Sequence, residues 1–455
     1  MASFYCVLGV WISLLHSCVT GYPKQKTSGS EDIRNCTVTP PYLPPTVTNT
    51  GERLSALRQL MRSHNLTVYI IPSKDAHMSE YIAERDKRLS WMTGFTGSSG
   101  IGVVTLQKAA LFTDSRYWTQ AERQMDCNWE LQKSVWIASI GEWTHKEVPA
   151  GGKVGLDPYL VSIDDWQSYN EALEDSNWIP TPIEDNLVDL VWGAQRPPPP
   201  VSEIYQLPDN FTERKILGPP VTLSGDPLDT LGKTDGTTDI TRTVHWGEPT
   251  PFQKEAYTRV LMGNIDLSRL TFPARTSGRM VEAFARQALW EVGLNYGHGT
   301  GHGIGNFLSV HEWPVGFQTK NIPFEKGMFT SIEPGYYQDG EFGIRLEDVV
   351  LVVEAESKYQ VSETPYLTFK VISLVPYDRS LIDVKLLSQE QIKYLNSYYE
   401  TIRKLVGPEL ERDRLHEEYS WLQENTKPFS RATLMAASLG ILAMSALTST
   451  LLTGM

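Results

Sequence analysis

Nine histidines occur in the chain, and three of them, His298, His302 and His311, fall within fourteen residues. The run is Gly297-His-Gly-Thr-Gly-His-Gly-Ile-Gly-Asn-Phe-Leu-Ser-Val-His-Glu, with glycine at 297, 299, 301, 303 and 305. A dinucleotide fingerprint needs glycines spaced by three, which this odd-numbered set lacks. So much glycine also disfavours a zinc-binding HExxH helix. What it allows is close backbone approach, with imidazoles displayed around it. Candidate carboxylate partners lie on both sides. Asp239 sits in the β-branched, strand-like Thr238-Asp-Ile-Thr-Arg-Thr. Glu333 precedes Pro334-Gly335, and Arg345 and Glu347 alternate in Gly343-Ile-Arg-Leu-Glu-Asp, which places both on one strand face. An apolar run follows Glu347, where an unpaired charge is costly. Each acid alone reads as a solvated surface charge, but the ordered set does not. Histidine with several carboxylates suits Mn²⁺, Co²⁺, Fe²⁺ or Zn²⁺. Paired ions of this kind generate hydroxide from water at neutral pH.

The elements that must hold these groups follow from hydrophobic period. Arg53–Arg62 reads as a helix with Leu54, Leu57 and Leu60 inward, and residues 67–71, 102–106 and 109–113 read as strands, giving an α/β domain. Arg196-Pro-Pro-Pro-Pro-Val is a stiff spacer and a domain boundary. Residues 213–234 mix Gly, Pro and polar residues without a usable period. Beyond them, Phe252–Leu270 and Met280–Val292 read as amphipathic helices, the second closing on Gly293. Asp348-Val-Val-Leu-Val-Val reads as a buried strand. Ser388-Gln-Glu-Gln opens a capped helix that carries Ile392, Leu395, Tyr399 and Ile402. No internal repeat is visible.

Composition bounds the setting. The chain has 455 residues, 41% hydrophobic and 21% charged, as expected of a folded globular protein of two or three domains. Its net charge of −13 argues against nucleic acid as a general partner. The hydrophobicity is concentrated at the ends. Phe4–Leu15 is an apolar run followed by small residues to Gly21, which reads as a cleaved signal peptide, with a transmembrane anchor as the alternative. Leu434–Met455 carries no charge and follows small residues around Ser430, a glycosylphosphatidylinositol (GPI) attachment pattern, with a tail-anchored helix as the alternative. Asn35, Asn65 and Asn210 begin glycosylation sequons. With Cys6 and Cys18 in the leader, Cys36 and Cys127 are left as an even pair in an oxidising compartment.

The order Asp, His, His, Glu-Pro-Gly, Arg-x-Glu resembles the pita-bread metallopeptidases, which include methionine aminopeptidase, prolidase, creatinase and aminopeptidase P. DGTTDITRT, GHGTGHGIG, VHEWP, SIEPGYY and GIRLEDV look most like the aminopeptidase P branch, and the two terminal signals most like its membrane-bound members. DAHMSEYI, WMTGFTGSSG and TDSRYWTQAERQMDCNWEL resemble that branch's N-terminal domain.

The resemblance implies a mixed α/β (α+β) fold, with a creatinase-like N-terminal domain ahead of a pita-bread metallopeptidase domain. It implies hydrolysis of the bond between an N-terminal residue and a following proline, with two ions, zinc or manganese, in the intact family enzyme. Asp239, His302, Glu333 and Glu347 would be metal ligands. His298, His311 and Arg345 would meet substrate, the two histidines would steady the tetrahedral intermediate, and Glu333 would also serve as general base. The implied partners are peptides with proline at position two and a membrane met through the GPI anchor. Self-association as a homo-oligomer is a further expectation.

One departure is marked. The resemblance calls for a fifth ligand, an Asp eleven residues before Asp239, and Leu228 stands there, with Asp226 and Asp229 out of register. The family's middle domain and the front of its catalytic domain are also missing upstream. The expected organisation is a signal peptide at 1–21, an N-terminal domain at 22–195 and a linker and irregular junction at 196–234. A partial metallopeptidase domain at 235–385, a helical region at 386–429 and an anchor signal at 430–455 follow.

Overall fold

The structure is a computed structural model that describes residues 32–79, 81–174, 178–201, 239–305, 310–317, 321–359 and 364–429. The signal and anchor regions, Ser430, Asn210 and Leu228 lie outside the described residues. The chain divides into two compact units, one within residues 26–232 with the hairpin tip Tyr337–Phe342, the other in 233–336 and 343–455.

The first unit is built on a six-stranded sheet. Its strands are β1 (Val68–Pro72), β2 (Ile101–Thr105), β3 (Ala109–Phe112), β4 (Glu130–Gln132), β5 (Gly152–Leu156) and β6 (Trp178–Pro182), in the order β4-β3-β2-β1-β5-β6. β1 pairs antiparallel with β2 and parallel with β5, so the sheet is mixed. Alternation along β1 sends Tyr69 and Ile71 to one core and Val68 and Ile70 to the other, so both faces are covered. The helix Gly51–Ser63 buries Leu54, Leu57 and Met61 in the first core, matching the expected apolar stripe at its N-terminal end. Cys36 and Cys127 form a disulfide on the surface of this unit.

The second unit carries an antiparallel sheet. β7 (Thr271–Pro273), β8 (His302–Gly303), β9 (Glu312–Gly316), β10 (Phe329–Ile332), β13 (Asp348–Ala355) and β14 (Tyr366–Val371) lie in the order β7-β14-β13-β10-β8-β9. β11 (Gly335–Gln338) and β12 (Phe342–Arg345) pair separately. Phe272, Phe317, Phe324 and Phe369 form an aromatic cluster in the core. The helix Pro251–Ser268 starts at a Thr250–Gln253 capping box and buries Val260, Leu261 and Ile265. The helix Gln389–Leu405 has the expected capping box from Ser388 to Gln391 and buries Ile392, Leu395, Tyr399 and Ile402.

Two local expectations are corrected. The segment expected as one helix from Met280 to Val292 is two, Gly278–Val281 and Ala283–Trp290, though Gly293 does take the left-handed conformation (φ 77°) that ends the second. Residues 239–243, expected as a strand, form no ladder. Thr241 makes only an isolated antiparallel bridge, to Glu347. β-branched propensity here is overridden by the lack of a neighbouring strand to pair with among the described residues.

Candidate metal centre

Four chain segments deliver the candidate ligands. His302 opens β8, Glu333 leaves the end of β10, Glu347 stands between β12 and β13, and Asp239 lies two residues before the Thr241 bridge. Thr330 in β10 pairs with Gly303 in β8, which brings the His302 and Glu333 segments together. The glycines make this possible. A Cβ on Gly301 would sit 2.0 Å from the Ser331 carbonyl oxygen, and one on Gly303 2.3 Å from that of Glu312. Close approach, expected from the glycine pattern, is thus the role these two residues play.

Asp239, His302 and Glu347 each offer a ligand atom, and these atoms lie within 4.8 Å of one another. His302 Nε2 is 3.1 Å from Asp239 Oδ2 and 3.4 Å from Glu333 Oε1. The ring's other nitrogen, Nδ1, is 2.9 Å from the Gly303 carbonyl oxygen. That contact places a proton on Nδ1 and, in the neutral ring, leaves the Nε2 lone pair facing carboxylate oxygens. Asp239 Oδ2 is buried and receives no hydrogen bond, so when the ring is neutral its approach to Nε2 sets two acceptors face to face. A lone pair and an orphaned carboxylate oxygen converging on one point are what a divalent cation would satisfy, so the residues fit one.

The electrostatics agree. Burial, then the Glu333 and Asp239 charges, push the Glu347 carboxyl up to about 8. Burial likewise raises Glu333, against the lowering effect of Arg345 and His302. Burial alone would lower His302, but Asp239, the Gly303 carbonyl and Glu333 together raise it. Three carboxylates crowd a site with too little positive charge, which a bound cation would supply.

Of the other sequence-selected residues, His311 and Arg345 contact this group, whereas the ring of His298 meets Tyr296 and the Gly299 backbone. The His311 ring lies 3.9 Å from that of His302, centroid to centroid, and Arg345 Nη1 is 3.7 Å from Glu333 Oε2. His298 is buried, with Nδ1 2.8 Å from the Gly299 carbonyl oxygen and its ring 4.9 Å from that of Tyr296. Sequence reasoning missed the supporting groups. The Thr241 hydroxyl donates to Glu347 Oε2, and the Ser331 hydroxyl donates to Glu333 Oε1 at 3.3 Å while accepting from the His302 backbone N–H. Arg242 pairs with the fully buried Asp348. The available signal was an Asp abutting the apolar Val349–Val353 run, where a charge needs a partner.

A mixed α/β fold in which a glycine-flanked histidine faces three carboxylates fits a metal-dependent enzyme, and the family matches name its class, the metallopeptidases. Residues 228–354 match metallopeptidase family M24, 365–429 the C-terminal region of peptidase M24, and 53–186 the creatinase/prolidase N-terminal domain. The chain belongs to the M24 metallopeptidases.

Within them it is an Xaa-Pro aminopeptidase. It is 42% identical to Xaa-Pro aminopeptidase 2 of Homo sapiens, covering 96% of this chain and 98% of the relative. It is 41% identical to that of Rattus norvegicus over the same shares. Its fold is similar to the X-prolyl aminopeptidase of Caenorhabditis elegans, described as a cytosolic enzyme with a di-nuclear active site (TM-score 0.68, 24% identity, 84% of this chain and 100% of that one). The human alignment spans 660 positions, whereas 96% of 455 residues is about 437, so about 220 aligned positions face no residue here.

Proposed function

We propose that the chain is a cell-surface metalloaminopeptidase that releases the N-terminal residue of peptides with proline at position two. The observation that carries this reading is the convergence of Asp239, His302 and Glu347 around a buried carboxylate oxygen without a donor. Asp239, His302, Glu333 and Glu347 would hold the cation, which supplies acidification of water at neutral pH. Glu333 takes the proton of the attacking water. His311 and His298 would supply donors to the oxyanion of the tetrahedral intermediate. Arg345, close to Glu333, positions the substrate and offsets carboxylate charge.

Location outside the cell is supported by the Cys36–Cys127 disulfide and by the exposure of Asn35 and Asn65, both in sequons. Among the described residues no helix is long and apolar enough to cross a membrane. If the uncharged segment Leu434–Met455 directs GPI attachment, phosphatidylinositol-specific phospholipase C should release the protein from cells, and retention would point to a transmembrane tail.

A second reading is favoured by the 220 unmatched positions and by Leu228 at the place of the fifth ligand. Here the chain is a catalytically impaired surface protein acting through binding, with one of two ion positions lost. Assay of purified protein on an Xaa-Pro-Pro peptide with added Mn²⁺ or Zn²⁺ separates the two. Metal-dependent release of the first residue supports the enzyme, and its absence supports the binding protein.

A further inference from the structure

We propose that Arg242 and Asp348 form a buried brace that sets the spacing of the Asp239 and Glu347 carboxylates, making both positioning residues for the metal centre. The inference rests on reading those carboxylates as cation ligands. Arg242 lies three residues after Asp239, and Asp348 directly follows Glu347. Neither reaches a ligand position itself. Asp348 is fully buried, with Oδ1 accepting from Arg242 Nη2 (2.6 Å) and Ser373 Oγ (2.7 Å) and Oδ2 from Tyr377 Oη (2.6 Å). Both oxygens are therefore committed within the protein.

The guanidinium has a second arm. Arg242 Nη1 donates to the Glu347 carbonyl oxygen at 2.7 Å and to the Thr241 carbonyl oxygen at 3.0 Å. It thus ties together the two segments that carry Asp239 and Glu347. The only backbone pairing between those segments among the described residues is the isolated Thr241–Glu347 bridge, in which Glu347 N–H donates to the Thr241 carbonyl oxygen at 3.0 Å; the Thr241 hydroxyl on Glu347 and the Thr243 hydroxyl on the Arg345 backbone add side-chain ties. One bridge leaves residues 239–243 without the ladder that would otherwise fix their register. The planar fork of arginine spans three carbonyls, those of Thr241, Glu347 and Val375, and a carboxylate at once. A lysine, as a point charge on a flexible stem, can keep the carboxylate but not the whole fork. The same side chain that neutralises Asp348 therefore also fixes where the Asp239 backbone runs.

The test uses the full chain and Co²⁺ alone as probe, with binding followed by calorimetry and by the visible absorption of the bound ion. Apo thermal unfolding is measured in parallel, and titrations are run well below the melting temperature. Arg242→Lys is expected to weaken Co²⁺ binding roughly 10- to 100-fold, the range for residues that orient metal ligands, and to alter the absorption bands. Tyr377→Phe strips one donor from Asp348 and is expected to weaken binding several-fold with the fold intact. If Arg242→Lys does not fold, Tyr377→Phe decides. Unchanged Co²⁺ affinity and spectrum in folded variants, whatever their melting temperatures, would overturn the brace and leave a purely structural ion pair. Absence of Co²⁺ binding by the unaltered protein would instead remove the metal-site reading, and the brace with it.

Discussion

His302 Nε2 faces Asp239 Oδ2 across 3.1 Å, yet that oxygen receives no hydrogen bond. Two acceptors this close in a buried place are repulsive unless a proton or a cation lies between them. With Nδ1 engaged by the Gly303 carbonyl, the neutral ring can only accept at Nε2. The relationship therefore separates two occupants of one site, and each leaves its own signature.

Asp239→Asn tests the cation. The substitution keeps the size but removes the charge and half of the acceptor capacity. Affinity for Mn²⁺ or Zn²⁺ is expected to fall by more than about 100-fold, beyond the usual effect of an outer-shell change. Calorimetric titration reads it directly. Unchanged affinity would remove Asp239 from the ligand set. The wild-type titration also reports stoichiometry, and with Leu228 in place of the fifth ligand we expect one tightly bound ion per chain.

pH tests the proton. Glu347 is raised to about 8 and Glu333 is also raised, chiefly by burial, so the apo protein binds more protons than the unfolded chain between about pH 4.5 and 8. Stability of the apo form must then fall as pH rises through that window. The raised His302 acts in the same direction, its contribution being lost as pH passes its folded pKa. The loss is expected to be on the order of a few kcal/mol. Saturating Mn²⁺ should flatten the decline, because the ion favours the ionised carboxylates and displaces their protons. Urea unfolding at pH 5, 6.5 and 8, with and without metal, reads both effects. Apo stability that rises across this range would contradict the crowded-carboxylate account.

Much of the candidate site, the grouping of Asp239, His302 and Glu347, was legible in the sequence, and the reason is chemical. His302, Glu333 and Glu347 stand beside glycine, proline and an apolar run, so each candidate group advertised itself by a neighbour that solvated surface charge does not need. The Gly301 and Gly303 contacts give that pattern its physical cause. What stayed hidden was pairing across long sequence distances. Nothing local tells Arg242 that its partner is Asp348, or Thr241 that its hydroxyl will meet Glu347. The break at Glu282 was hidden similarly, because the apolar period runs on unchanged from Met280 to Val292 while the backbone does not.

Glu333→Gln separates chemistry from binding. As general base its loss is expected to lower kcat by about 10²- to 10⁴-fold, with KM for an Xaa-Pro-Pro peptide changing much less. Metal analysis of the variant must accompany the kinetics, since Glu333 Oε1 also lies 3.4 Å from His302 Nε2. A variant that keeps its metal and its kcat would exclude Glu333 as the base.

Removing the disulfide by Cys36→Ser with Cys127→Ser opens a loop spanning 91 residues. Loop entropy predicts a loss of about 4–5 kcal/mol, and removal of native disulfides from secreted domains typically costs about 2–5. Because the bridge lies in the N-terminal unit, metal affinity should not change. Urea unfolding under non-reducing conditions, compared with the same titration in reductant, checks the first point, and Co²⁺ titration checks the second. A double variant as stable as the parent would mean the bridge does not form in the isolated protein.

Gly301→Ala asks whether glycine is required for approach or only tolerated. A Cβ there would meet the Ser331 carbonyl oxygen at 2.0 Å and the Phe317 ring at 3.0 Å, and the first neighbour is backbone that cannot rotate away. The His302 segment must then move off β10 by an ångström or more. That movement breaks the 3.0 Å bond from the His302 N–H to Ser331 Oγ and draws the imidazole from Glu333. Overpacking of this kind costs about 1–3 kcal/mol, which shifts the melting temperature by a few degrees. The expected Co²⁺ affinity falls further than that shift alone explains, because the displaced residue belongs to the candidate ligand group. Since the left-handed backbone is not involved at Gly301, Gly301→Ser should behave like Gly301→Ala. Substitutions that lower stability while sparing Co²⁺ binding would show that β8 can be displaced without moving His302.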